Sequence, residues 1–231
     1  MTLRWLLLAL VVALPTQAAE LRGTGDLGIV VEREAGSVVV VESTTDTVLG
    51  RVEGLGDLSH ASAVFGRDGR HAFLFGRDGG LSKIDLLARS LAGRIVQAGN
   101  SIGGAISDDG RLIAVSNYEP GGVRVFDAGT LAPITDIPAH WGDEGRLSKT
   151  VGLVDAPGRR FVWSLYDAGE IWLARLDDAQ VPTVRRFPGV GRLPYDGVVT
   201  ADGRWYVAGG VSPVFSAPVF GNDALSRDGF E

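Results

Sequence analysis

The apolar positions of this chain fall in short runs, broken at close intervals by turn residues. Ala61–Phe65 and His71–Phe75 flank the turn Gly66-Arg67-Asp68-Gly69. Gly103–Ser107 and Leu112–Ser116, Val151–Asp155 and Arg160–Ser164, and Asp196–Thr200 and Trp205–Gly209 flank three more turns. The turn glycines are Gly69, Gly110, Gly158 and Gly203, spaced 41, 48 and 45 residues apart, and each is followed by arginine. Asp68, Asp109 and Asp202 precede three of them, and Pro157 precedes the fourth. Asp-Gly and Pro-Gly are tight-turn dipeptides, because glycine accepts a positive φ and aspartate can bond its own backbone. Each turn therefore reads as a hairpin tip.

A third run follows each hairpin. Leu81–Asp85 and Val123–Asp127 alternate and end in aspartate, and Glu170–Ala174 is similar. A fourth follows in Gly93–Gln97 and Leu131–Ile137. Four short strands repeated about every 45 residues, with no stretch of helical period between them, predict β-propeller blades. A β-sandwich is the alternative, but it has no reason to repeat Asp-Gly-Arg at this period. Six residues before each turn glycine stand Ala63, Gly104, Gly152 and Gly197, a column of small residues where innermost strands converge.

The register also shows what varies. Nine residues before the turn glycines come His60, Ser101, Lys149 and Pro194, beside Ser59, Asn100, Ser148 and Tyr195. These positions lead into innermost strands, and the loops between second and third strands lie at the same end of a blade. Those loops supply Arg77 and Asp78, then Asn117, Tyr118 and Glu119, then Tyr166 and Asp167. A propeller would gather these side chains around one channel mouth, and function concentrates on such loops. The plain structural alternatives are a satisfied loop histidine at His60, tyrosines that cap gaps between blades, and an exposed pair of Arg77 with Asp78 or Asp85. The segment from His140 to Lys149 reads as a mobile loop with His140 on the surface, and His71 as a surface strand residue.

Composition narrows the chemistry. The chain has 231 residues and no cysteine, which removes disulfides, thiolate metal sites, a thiol nucleophile and covalent c-type haem attachment. The net charge of −6 argues against nucleic acid as a partner. Met1–Arg4, the apolar run Trp5–Pro15 and the small residues near Ala18 and Ala19 predict a signal peptide over 1–19, hence a periplasmic protein without a membrane span. There is no nucleophile-elbow, zincin or phosphate-loop motif. Cations and aromatics around a wide mouth suit a flat polycarboxylate such as a tetrapyrrole, with carboxylates meeting arginine or lysine and a histidine meeting iron. A calcium-dependent lactonase-type propeller is a further reading, with Asn100, Asn117 and Asp196 as a thin ligand set.

The segments Leu27–Ser37, Leu58–Ser62, Phe75–Asp85, Gln97–Ser107, Val115–Asp127 and Val151–Gly158 together resemble the NirF family of exported proteins needed to make haem d1, the cofactor of cytochrome cd1 nitrite reductase. The resemblance runs densely from about residue 21 to 209. It implies an all-β, eight-bladed propeller, of which this chain would form an incomplete arc of about four blades over 20–210. It implies haem d1, or dihydro-haem d1 as its late precursor, held non-covalently at the mouth. His60 is then the candidate iron ligand and catalytic residue, with Arg77, Asn100, Asn117, Tyr118, Lys149 and Tyr195 as cofactor contacts. Nitrite reductase and other haem d1 maturation proteins are the implied partners. Two roles stay open: a late oxidative or side-chain modification of the precursor, as by a dehydrogenase, and carriage of the cofactor to the reductase. Residues 211–231, with Pro213 and Pro218 and no third run ending in aspartate, break the rhythm and read as a truncated or frame-shifted tail. The open arc that follows is expected to be poorly soluble or dimeric.

Overall fold

The computed structural model describes residues 24–178, 180–211 and 215–219. The signal peptide expected over 1–19, residues 212–214 and the chain from 220 onward lie outside the described residues. Three four-stranded antiparallel sheets form from β4 (Ser62–Phe65), β5 (His71–Phe75), β6 (Gly80–Asp85) and β7 (Ser90–Val96); from β8 (Asn100–Ile106), β9 (Leu112–Glu119), β10 (Gly122–Asp127) and β11 (Pro133–Ile137); and from β14 (Thr150–Ala156), β15 (Arg160–Leu165), β16 (Glu170–Leu176) and β17 (Pro182–Phe187). A three-stranded sheet of β1 (Leu27–Glu32), β2 (Ser37–Glu42) and β3 (Thr47–Val52) comes before them. Another, of β18 (Gly197–Val199), β19 (Trp205–Ala208) and β20 (Phe215–Pro218), comes after. A small hairpin, β12 (His140–Trp141) with β13 (Arg146–Leu147), stands between the third and fourth sheets. No helix among the described residues is long and apolar enough to cross a membrane.

The sheets stack face to face around an axis. Inner strands β4, β8, β14 and β18 lie side by side in that order, and β3 lies beside the outer strand β7. The first sheet therefore holds the three outer positions of a blade, with no inner strand among the described residues. The tail departs from the expected break in rhythm: Phe215–Pro218 pairs with β19 as a third strand, and Ala217 and Val219 are buried.

Why the runs are continuously apolar is plain from the stacking. Alternate residues of one strand face opposite neighbours. Phe73 and Phe75 pack with Ile113, Val115 and Phe126 of the third sheet, while Ala72 and Leu74 pack with Val38 and Val40 of the first. Phe161 and Trp163 turn to the third sheet and Val162 to the fifth. Each large side chain so buried contributes about 1.5–3 kcal/mol of transfer free energy. The small column is required by these rings. A Cβ at Gly104 would overlap the Phe75 ring and the Ala114 carbonyl, and one at Gly197 would overlap Tyr206.

The three Asp-Gly-Arg turns and the Pro-Gly-Arg turn all carry glycine at positive φ, from 64° at Gly69 to 81° at Gly158. Their polar residues tie the turn end together. Arg70 bonds Asp85 at 2.6 Å, and Asp85 also accepts the Leu87 and Ala88 amides, so the aspartate closing a third strand caps the next turn. Arg67 reaches Asp155 of the fourth sheet at 2.7 Å. Asp108 accepts the Gly158 and Arg159 amides at 2.8 and 3.1 Å, and Arg159 bonds Asp109 at 2.6 Å. His71 is half-buried, with Nδ1 2.6 Å from the Asp68 carboxylate.

Burial opposes charge on Asp68, but the bonds from His71 and the Arg70 and His71 amides outweigh it and hold the carboxyl down at about 2. Burial likewise opposes charge on Asp108 and Asp109; the Gly158 and Arg159 amides lower Asp108, and the Ser107 hydroxyl, the Arg111 amide and Arg159 lower Asp109. A carboxyl depressed by folding stabilises fully above its unfolded value and loses that contribution as pH falls through its folded value. The thermal midpoint should therefore hold steady down to about pH 4 and fall between about pH 4 and pH 2. Asp68→Asn should be less stable at pH 7 and show a shallower fall, read by calorimetry across that range.

Candidate functional site

The loops at the other end form one continuous rim. The turn Leu58–Ala61, closed by the Ala61 amide on the Leu58 carbonyl at 3.1 Å, leaves His60 exposed. The Ser59 amide donates to the Asp57 carboxylate at 2.9 Å, and the Arg77 amide donates to the Asp57 carbonyl at 2.8 Å. Next to Arg77, the Gly76 carbonyl accepts the Ser101 hydroxyl at 2.7 Å. Asn100 begins β8 opposite Glu119. The neighbouring Tyr118 hydroxyl lies 2.7 Å from that of Tyr195. Tyr195 meets Tyr166 edge-on, with centroids 5.8 Å apart at 83°, and Lys149 Nζ stands 5.6 Å from the centre of the Tyr166 ring. His60, Arg77, Asn100, Tyr118, Lys149 and Tyr195 thus lie on one end of the molecule, carried by the second to fifth sheets.

Their states differ. Among the described residues the His60 ring and the Arg77 guanidinium have no hydrogen-bonded or ion-paired partner. The pairs considered for Arg77 are taken elsewhere: Asp78 bonds Arg94 at 2.5 Å and Asp85 bonds Arg70. Lys149 bonds Asp167 at 3.2 Å, a half-exposed pair worth at most about 1 kcal/mol that an incoming anion can displace. Burial first, then the Tyr195 hydroxyl, pushes the Tyr118 phenol above its usual value. Asn117 stands apart. It is 1% exposed, its carboxamide oxygen accepts Gln97 Nε2 at 2.9 Å, and its Nδ2 donates to Gln97 Oε1 at 3.3 Å. It braces the base of the rim from below instead of presenting its amide to the mouth, which also removes a ligand from the calcium reading.

Two further features were not legible beforehand. Arg33 donates to the Ser59 carbonyl at 3.1 Å, beside His60. It lies in the β1–β2 turn, the first sheet's counterpart of the Arg77 loop, and extending the repeat register to that sheet would have found it. The segment expected to be mobile is a β-hairpin whose Trp141 ring carries the Arg146 guanidinium at 4.3 Å, and His140 Nδ1 sits 2.8 Å from the Gly145 carbonyl. This hairpin lies within the longest of the three turn spacings. Beneath the rim a cavity of about 270 Å³ follows the axis between the inner strands, lined by Ser62, Gly103, Ser116, Gly152 and Asp196 among others.

No cluster of three or more histidine, cysteine, aspartate or glutamate side chains that could hold a metal ion occurs among the described residues. A macrocycle that brings its own ligands would ask for one side chain such as His60. The exposed imidazole, unpaired guanidinium and aromatic face fit such a group.

The likenesses to known proteins agree with this geometry. The family described as "Cytochrome D1 heme domain" matches residues 22–213. The chain is 54% identical to Protein NirF of Pseudomonas aeruginosa over 92% of its own length and 52% of that protein's. It is 52% identical to Protein NirF of Stutzerimonas stutzeri over 97% of its length and 56% of that protein's. The solved structure of the dihydro-heme d1 dehydrogenase NirN in complex with DHE superposes with a TM-score of 0.76 at 25% identity, covering 89% of this chain and 44% of that one. The chain spans about half the length of the curated relatives it matches. The propeller blades, the rim and these matches converge: the chain belongs to the cytochrome D1 heme domain family, and it is similar to the proteins named NirF over nearly its whole length.

Proposed function

We propose that this chain binds haem d1, or dihydro-haem d1, on the rim that carries His60, as an exported protein of haem d1 biosynthesis. The observation that carries the reading is the continuity of that rim. An exposed imidazole, the guanidinium groups of Arg33 and Arg77, Lys149 and three tyrosines, from sites far apart in the chain, stand around one opening. The NirF names of its relatives and the ligand named with NirN support the choice of tetrapyrrole.

In this reading His60 meets the iron, Arg33, Arg77 and Asn100 meet peripheral carboxylates, and Tyr166 and Tyr195 offer a face for the ring. A bound d1-type haem supplies a redox-active iron. The chain's own residues orient the ring and keep one of its faces from water. A late oxidation of the precursor is one role, and it requires an outside electron acceptor, because a chain without cysteine attaches no c-type haem of its own. The second role is non-enzymatic carriage of the cofactor to nitrite reductase.

Anaerobic titration of the protein with dihydro-haem d1, followed by visible absorption, tests the reading. Saturable binding with a one-to-one end point is expected. A stable bound-precursor spectrum that persists after a one-electron acceptor is added marks a carrier, and conversion on addition marks an enzyme. Absence of saturable binding contradicts the proposal.

A further inference from the structure

The Tyr118 and Tyr195 hydroxyls meet at 2.7 Å although 77 residues separate them in the chain. Each ring is placed independently. Tyr118 is half-buried at the end of β9, and Tyr195 is fixed by its amide on the Gly209 carbonyl at 2.7 Å and by the edge of Tyr166. Tyr195 remains 36% exposed, so the pair faces the opening. Among the described residues neither hydroxyl has another partner. In such a pair one proton lies between the oxygens and the other has no acceptor within the protein. Two phenols with converging hydroxyls can both donate to one oxygen placed between them, as in sites built to hold a carbonyl or oxyanion.

The chemistry of that oxygen follows from the neighbouring charge. Asp196 adjoins Tyr195, lines the axial cavity and acts on Tyr118, and no cation pairs with it among the described residues. Lys149 is engaged by Asp167. A carboxylate placed between the phenols would meet the Asp196 charge, whereas a neutral carbonyl would not.

We propose that Tyr118 and Tyr195 form a two-phenol clamp for a neutral carbonyl oxygen borne directly on the macrocycle, and so select tetrapyrroles with ring oxo groups over those with only alkyl and vinyl substituents. This rests on the reading of the rim as a tetrapyrrole site. The test measures affinities of the full chain for haem d1, which has ring carbonyls, and for protohaem, which has carboxylates but none. The parent is compared with Tyr118→Phe and Tyr195→Phe, which keep the rings and their packing. Each variant is expected to weaken haem d1 about 10-fold and to leave protohaem within about 2-fold. The double variant should lose less than the product of the two, because the hydroxyls act as a unit. Unchanged haem d1 affinity, or equal weakening for both ligands, overturns the clamp while leaving the tetrapyrrole site standing. A parent that binds neither ligand overturns both.

Discussion

Replacing His60 with alanine is expected to weaken haem d1 binding by at least about 10-fold and to shift the visible bands of whatever complex remains. The shift would mark the loss of a side chain that would hold the iron. Stability should not change, since the imidazole is exposed and makes no bond within the described protein. That contrast separates a ligand from a structural residue. Added imidazole should restore the parent bands, since it can occupy the vacated position. A variant with unchanged spectrum and affinity removes His60 from the ligand shell.

The second large effect belongs to the framework. Gly104→Ala places a methyl group where the Phe75 ring and the Ala114 carbonyl already lie. Phe75 is fully buried between the second and third sheets, so neither it nor the strand can retreat without disturbing that core. The expected cost is about 2–3 kcal/mol. For a chain of this size that lowers the thermal midpoint by roughly 4–12 °C. Gly99→Ala is the control: its added carbon would lie 3.7 Å or more from its neighbours, and its midpoint should match the parent's.

Most of the fold was open to reading from the chain because its punctuation is chemical. Glycine at positive φ, aspartate capping the next turn and paired apolar runs each leave a mark in sequence, and they repeat. The reason for the small column was only half visible. Convergence on the axis accounts for its place, but the Phe75 ring that makes glycine necessary at 104 comes from another sheet, and the Tyr206 ring does so at 197 from across its own hairpin. The third strand at Phe215–Pro218 was hidden, since prolines at a sheet edge look the same in sequence as a break.

The rim was legible as a set of positions and not as a set of states. The register brought His60, Arg77, Lys149 and Tyr195 to one end, because equivalent loops of repeated sheets must lie together. It could not show that Asn117 turns inward to Gln97, that Asp78 and Asp85 pair with Arg94 and Arg70 instead of Arg77, or that Tyr118 reaches Tyr195. Those outcomes depend on side-chain competition among residues distant in the chain. Arg33 was missed for a simpler reason: its sheet lacks the hairpin turn on which the repeats were aligned.

The most direct test of the central claim is a crystal structure of the protein with haem d1. The ring is expected on the rim, with its iron within bonding distance of His60 Nδ1 or Nε2 and its edge near Tyr118 and Tyr195. A ring seated at the opposite end, in the cavity of about 500 Å³ beside Arg111 and Arg159, would contradict it.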